Sequence, residues 1–456
     1  MKNYVFTKKS RINAPVEEVF KWHSRPGAIE RLSPPWDPLR VISRQGGIET
    51  GAKVVLEIKA GPVPIKWVAE HTGYEENRYF KDEQRKGPFA RWIHTHLFEP
   101  DGNDACFLED HIEYAPLFSS GMITAPFIEK KLERIFNYRH EGLVQDLASH
   151  RERKDKKPLN IMISGASGLV GSALIPFFTT GGHKVSRLVR RPAENTNEIR
   201  WDPWAGKLNP SDMEGVDTVI NLSGANIGEG RWTDKRKREI IDSRVKTTEL
   251  LSKTIAGLKQ PPKVMICASA TGYYGDCGCE IATEDSQSGE CFISDVCRQW
   301  EDAAAPAIDR GIRVVFLRIG ITLSPLGGAL YKMVPPFKLG LGGKFGSGEQ
   351  YMSWITIDDL ICSMYHVIND ESLDGPVNLV SSNPVTNLEF TKTLGKVLSR
   401  PTPFALPETL LKTIFGQMGE EILVSGARVM PDKLMESGYN FRHPDLESGL
   451  RHLLGR

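Results

Sequence analysis

Three glycines set between an apolar stretch and a helix-like one constrain this chain more than any other feature. Asn160-Ile161-Met162-Ile163-Ser164 reads as a short strand, Gly165-Ala166-Ser167-Gly168-Leu169-Val170-Gly171 as a turn, and Ser172-Ala173-Leu174-Ile175-Pro176-Phe177-Phe178 as helix. A pyrophosphate asks for this order. The first glycine permits the tight turn, the second lets backbone amides approach the anion, and the third lets the helix pack close to the strand. The helix N-terminus then offers unpaired N–H groups and the positive end of its dipole. The spacing predicts that Gly165, Ser167, Gly168, Leu169, Val170 and Gly171 cradle a dinucleotide.

From residue 159 onward strands and helices alternate, with candidate strands at 159–164, 184–189, 217–222, 263–268, 313–318 and 376–380. That alternation predicts an α/β fold, a Rossmann-type doubly wound parallel sheet. The second strand ends in Arg190-Arg191-Pro192, where an NAD enzyme would place an acid to hold the ribose hydroxyls. Arginine suits a 2′-phosphate instead, so the expected cofactor is NADP.

Upstream, the charged run from His150 to Pro158 has no apolar face to bury and reads as a linker over 151–158. Before it, strands near 53–59, 64–72, 78–84, 91–98 and 106–113 precede a helical stripe of Ile128, Leu132, Ile135, Phe136, Leu143 and Leu147. An antiparallel sheet wrapped around a long helix accounts for that order. Trp67, Phe80, Phe89, Trp92 and Phe98 are core or cavity lining, and His94 and His96 share one face of a strand. Two histidines alone do not make a metal site, so no metal is expected and hydrogen-bonded or solvated imidazoles are.

The remaining composition narrows the class. With 456 residues, 40% hydrophobic and 25% charged, the chain is long enough for two or three globular domains. A net charge of +1 argues against a nucleic-acid partner, and the absence of a long apolar run argues against a membrane span. The N-terminus lacks the pattern of a secretion signal, which makes a cytoplasmic location the expectation. The seven cysteines, clustered only at Cys277, Cys279, Cys291 and Cys297, read as reduced thiols.

Residues 1–150, opening with Ile12-Asn13-Ala14-Pro15-Val16-Glu17-Glu18-Val19-Phe20, resemble the START-like polyketide-cyclase superfamily, or helix-grip fold. The resemblance implies an α+β domain with an apolar ligand cavity. From 159 on the chain resembles the extended short-chain dehydrogenase/reductases, the group that includes sugar-nucleotide epimerases. The third strand, running into Leu222-Ser223-Gly224-Ala225, is similar to that family's cofactor-side segment. Arg231-Trp232-Thr233 with Lys237, Ser243-Arg244-Val245, Ser269-Ala270-Thr271-Gly272-Tyr273-Tyr274-Gly275 and Gly346-Ser347-Gly348-Glu349-Gln350-Tyr351 are similar to an atypical, epimerase-like branch. That branch ends in a short domain of unassigned function, matched here by Ser425-Gly426-Ala427-Arg428 and Gly438-Tyr439-Asn440-Phe441, so 159–383 would be the NADP domain and 384–456 a substrate-side cap.

The resemblance also implies a tyrosine acid with a lysine four residues on, but the corresponding positions hold Ile293 and Cys297, and the relay asparagine is replaced by Arg244. Ser269 then stands where the family polarises substrate, with Tyr273 and Tyr274 just beyond it as candidate proton donors. Arg244 and Arg318 join the cofactor side, while Asp358 and Asp359 are expected to cap a helix. Two functions remain open. One is an NADP-dependent oxidoreductase or nucleotide-sugar epimerase-like enzyme on a small carbonyl or alcohol substrate. The other is a non-catalytic NADP(H)-binding sensor coupled to the apolar-ligand domain.

Overall fold

The computed structural model describes residues 2–60, 63–117, 121–153 and 157–456, with the side chains of 60 and 121–125 left aside. It divides into two compact units, residues 1–155 with 176–182 and Gly455, and residues 156–175 with 183–454 and Arg456.

In the first unit, strands β1 (Tyr4–Ile12), β2 (Arg40–Gln45), β3 (Lys53–Ala60), β4 (Val63–Glu75), β5 (Tyr79–Lys86), β6 (Phe89–Pro100) and β7 (Cys106–Pro116) form one sheet. Its order is β1-β7-β6-β5-β4-β3-β2, and every neighbouring pair is antiparallel. Period-two alternation drives this: Cys106, Leu108, Asp110, Ile112 and Tyr114 of β7 are buried while the residues between them are partly exposed. Helix α1 (Val16–Ser24) starts just after Pro15, and α2 (Ala28–Arg31) follows it. The long α3 (Gly121–Arg151) places Leu132 and Phe136 against Phe6, Ile112 and Tyr114, and Leu143 and Leu147 against Phe20 and Phe98. The expected antiparallel sheet around a long helix is therefore present, and α3 continues through His150 to Arg151, into the charged run. Residues 154–156 of that run lie outside the described residues.

Strand β2 was not anticipated. Its sequence, RVISRQ, is mostly exposed and has no apolar alternation, as suits a sheet edge. A cavity of about 450 Å³ opens within this unit, and Trp67, Phe80, Phe89 and Trp92 line it. Phe98 instead packs in the core, its ring 5.1 Å from that of Phe20.

The second unit is built on a seven-stranded sheet. Strands β8 (Asn160–Ser164), β9 (Lys184–Val189), β10 (Glu198–Arg200), β11 (Thr218–Asn221) and β12 (Val264–Ala270) are joined by Arg313–Ile319 and Gly375–Leu379. The order is β10-β9-β8-β11-β12, then the strands at 313 and 375, and all pairs are parallel. Near-continuous apolar runs explain the burial on both faces: six of the seven residues of β12 are buried. The three-residue β10 escaped the sequence reading because it is too short to carry a pattern. Chain order reverses between β8 and β11, and ligands of such sheets bind at that reversal, outside the carboxyl ends of the strands.

Segment 384–456 is stitched into this unit by short strand pairs, Tyr351–Met352 with Val385–Thr386, Gly343–Phe345 with Phe404–Leu406, and Ile281–Ala282 with Arg428–Val429. Helix Ile357–Asn369 is capped by Thr356, which corrects the expectation for Asp358 and Asp359. The Thr356 hydroxyl accepts from the Asp359 amide at 3.0 Å, and Asp359 itself accepts the backbone N–H groups of Arg442 and His443. Among the described residues no helix is long and apolar enough to cross a membrane. All seven cysteines are free thiols, as expected.

Candidate active site and cofactor cradle

The glycine turn joins β8 to helix α4 (Leu169–Thr180) at the reversal point. Gly165 has φ +70°, and a Cβ there would stand 2.6 Å from the Leu222 carbonyl oxygen. At Gly171 a Cβ would fall 2.6 Å from the Gly165 carbonyl oxygen and 2.8 Å from Ala166 Cα, so only glycine lets α4 pack on the turn. Gly168 differs. It is exposed, and its Cβ would meet nothing nearer than the Gly165 oxygen at 3.3 Å, leaving the backbone open to a ligand. The cradle thus fits a bound pyrophosphate by its own geometry.

The loop after β11 is held against the cradle by hydroxyls and an amide. Ser164 Oγ donates to Asn221 Oδ1 at 2.6 Å, Asn221 Nδ2 donates to Thr248 Oγ1 at 2.8 Å, and Ser223 Oγ lies 3.0 Å from Ser164 Oγ. The Ala225 amide donates to Ser243 Oγ at 2.9 Å. Arg244 on helix α5 (Asp234–Ala256) donates to the Ile240 and Ala225 carbonyls, both at 3.0 Å, and its guanidinium lies 4.9 Å from the Trp300 ring centroid. Burial pushes its pKa down to about 10, which still leaves it charged at neutral pH. Gly224 sits under this guanidinium, where a Cβ would come within 3.1 Å of Cζ. Arg244 therefore fixes the Ser223–Ala225 loop.

At the end of β9 the two arginines part. Arg191 makes a two-pronged pair with Glu198 at 2.9 and 2.7 Å, and Arg187 also approaches that carboxylate at 3.2 Å. The hydrogen bond from Arg191, with a backbone bond from Glu194, holds Glu198 down at about 2. Arg190 is exposed, its guanidinium 5.4 Å from the Trp204 ring centroid, and among the described residues it forms no ion pair. The sequence reading did not see Glu198, which lies seven residues beyond Arg191 on a strand too short to recognise.

The third group gathers at the carboxyl ends of β12 and its neighbour. Ser269 Oγ donates to Glu301 Oε1 at 2.7 Å, and Arg318 grips both oxygens of Glu301 at 3.0 and 2.9 Å. Tyr274 donates its phenol proton to Asn378 Oδ1 at 2.7 Å and accepts from Arg318 at 3.1 Å. Burial pushes the Tyr274 phenol up to about 12. Burial works against the charge of Arg318, but Glu301 and then Tyr274 hold its pKa above the ordinary value. The half-buried Tyr273 lies face-on to this guanidinium, 3.4 Å from ring centroid to Cζ, and its hydroxyl has no hydrogen-bond partner among the described residues.

Glu301 is the member of this candidate site that sequence reasoning missed. It ends the buried stripe Ile293, Val296, Cys297 and Trp300 of helix α6 (Phe292–Asp302), and an acid four residues after Cys297 on such a stripe was the available signal. Ile293 packs against Trp232, Ile240 and Met418, and burial pushes the Cys297 thiol up to about 12, which keeps it protonated and inert.

Residues 161–379 match the NAD dependent epimerase/dehydratase family, 12–136 match the polyketide cyclase/dehydrase and lipid transport family, and 406–453 match a domain of unknown function. An epimerase family protein of Mycobacterium bovis is 40% identical over 296 residues, which span 65% of this chain and 98% of that protein. A crystal structure described as a nucleoside-diphosphate sugar epimerase from Corynebacterium glutamicum is similar over 99% of this chain and 90% of its own, with 34% identity and a TM-score of 0.81. Human epimerase family protein SDR39U1, crystallised with NADPH, is similar over 64% of this chain and 98% of its own, with 33% identity and a TM-score of 0.60. Glycine cradle, parallel sheet and relatives lead to one conclusion: the chain belongs to the epimerase family, an extended short-chain dehydrogenase/reductase with a START-like domain ahead of it in sequence.

Proposed function

We propose that the second unit binds NADP(H) and acts as an oxidoreductase or epimerase-like enzyme on a small carbonyl or alcohol substrate. The open backbone at Gly168 carries this reading. The nicotinamide, when bound, would give or take the hydride. Gly165, Ser167, Gly168, Leu169, Val170 and Gly171 would hold the pyrophosphate, with the Leu222–Ala225 loop, fixed by Arg244, beside the rest of the cofactor. Arg318 would serve through Glu301 rather than by touching the cofactor.

Arg190 is the group suited to a 2′-phosphate, since Arg191 is already neutralised by Glu198. Arg190→Ala should weaken NADPH binding by about ten- to a hundredfold and leave NADH binding nearly unchanged, as read by calorimetry. Equal losses for both cofactors would remove this assignment.

Ser269 would polarise the substrate oxygen, and Tyr273 would supply the proton. The Ser269 proton is directed at Glu301, so it must rotate toward substrate; the two bonds from Arg318 then keep Glu301 satisfied. Tyr274, with its proton on Asn378 and its pKa near 12, is placed to hold Arg318 rather than to act as an acid. The test is NADPH oxidation against a panel of carbonyl compounds. Tyr273→Phe should lower kcat by about a hundredfold and Ser269→Ala by at least about tenfold, with NADPH binding intact. Full turnover in both variants would make these roles wrong.

The commitment of the Ser269 and Tyr274 hydroxyls inside one ion-pair network also favours the second reading, a protein that binds NADP(H) without turnover. Saturable NADPH binding with no oxidation across the panel would select it.

A further inference from the structure

The sheet of the first unit brings together a set of donors that no single strand reveals. In the β4–β5 ladder His71 stands opposite Asp82, and in the β5–β6 ladder Asp82 stands opposite His94. One step along the same face, His96 of β6 stands opposite Asp110 of β7. Side chains on directly paired residues point to the same face. His71, Asp82, His94 and His96 all line the cavity.

The histidines are oriented from behind. His94 Nε2 bonds Asp110 Oδ1 at 2.8 Å, His96 Nδ1 lies 2.6 Å from the same oxygen, and His140 Nε2 of α3 bonds Asp110 Oδ2 at 2.6 Å. With those nitrogens turned to Asp110, His94 keeps Nδ1 and His96 keeps Nε2. His94 Nδ1 lies 3.7 Å from Asp82 Oδ1. One ligand atom from each of Asp82, His94 and His96 can be chosen so that all lie within 4.8 Å of one another, a spacing one ion can bridge. A carboxylate behind the far nitrogen of a ligating imidazole is the arrangement that fixes tautomer and ring angle in metal sites.

Burial points the same way. Asp110 is only 3% exposed, so the carboxylate behind the imidazoles is shielded from solvent. Arg139 is the guanidinium of the cluster, and its Nε donates to the Leu32 carbonyl at 3.1 Å. Asp82 and Asp110 are the carboxylates of the same cluster. His71 Nδ1 is buried beside them with no hydrogen-bond partner.

We propose that Asp82, His94 and His96 form a binding site for a divalent transition-metal ion of the zinc type, with His71 as a nearby fourth donor and Asp110 as the positioning carboxylate. An imidazole and carboxylate donor set suits zinc, iron, cobalt or nickel and disfavours calcium and magnesium. The site stands in the polyketide-cyclase-like unit and is independent of the NADP(H) reading.

The test uses the full, untagged chain, stripped with a chelator and dialysed against zinc, then cobalt, at neutral pH. Expected are one tightly held zinc per chain and a cobalt complex with strong visible bands and no thiolate charge-transfer band. Asp82→Asn, which keeps the shape of the side chain, should weaken zinc binding by roughly a hundredfold. His111→Gln, on the opposite face of β7 and 3.3 Å from Thr7 Oγ1, should leave it unchanged. If Asp82→Asn does not fold, parental stoichiometry and the cobalt spectrum still decide. No tight zinc in the parent protein, a thiolate band, or undiminished binding by folded Asp82→Asn would each overturn the proposal.

Discussion

A methyl group added at Gly168 should leave the protein folded and weaken NADPH binding by about ten- to a hundredfold. The new Cβ would meet only the Gly165 oxygen, at 3.3 Å, so the turn need give by only a few tenths of an ångström to take it. The space it takes is the space a pyrophosphate needs. Gly171→Ala is the contrasting case. Its Cβ would press on the Gly165 oxygen at 2.6 Å and on Ala166 Cα at 2.8 Å, both backbone atoms, so α4 must shift at a cost of about 1–3 kcal/mol. Thermal melts beside calorimetry separate the two: Gly168→Ala loses binding at nearly constant Tm, and Gly171→Ala loses both. Parental affinity in Gly168→Ala would show that the cradle does not hold the ligand.

The second large effect is expected at Arg318. Arg318→Met removes the two-pronged partner of Glu301, whose side chain is 12% exposed, and strips a donor from Tyr274. Leaving that carboxylate uncompensated should cost about 3–5 kcal/mol and lower Tm on the order of 10 °C. Adding Glu301→Gln to the same chain should recover part of the loss, because the buried charge is then gone. A loss below about 1 kcal/mol in the single variant would mean that the pair is not what orders Ser269 and Tyr274.

What the sequence made legible was local. The three glycines, the period-two strands of the first unit and the apolar runs of the parallel sheet each carry their signal within a dozen residues, and each stands where the pattern puts it. Strands β2 and β10 lacked such a signal, one being polar and exposed and the other three residues long. Charge pairing was the harder part. Glu198 takes Arg191, Glu301 takes Arg318 and Ser269, and Asp110 takes imidazoles from a neighbouring strand and from α3. Those meetings depend on sheet register and helix packing, which spacing along one strand does not encode. Of the two histidines, His94 is hydrogen-bonded to Asp110, and His96 Nδ1 lies 2.6 Å from the same carboxylate; both are buried rather than solvated, and what spacing along the strand lacked was Asp82 across the ladder.

The central claim is that a nicotinamide dinucleotide sits on the Gly165–Gly171 turn with its 2′-phosphate read at Arg190. Calorimetric titration of the intact chain with NADPH and NADH tests it most directly. The expected result is saturation at one NADPH per chain, with NADH bound about tenfold or more weakly. No binding of either dinucleotide, or equal affinity for the two, would contradict it.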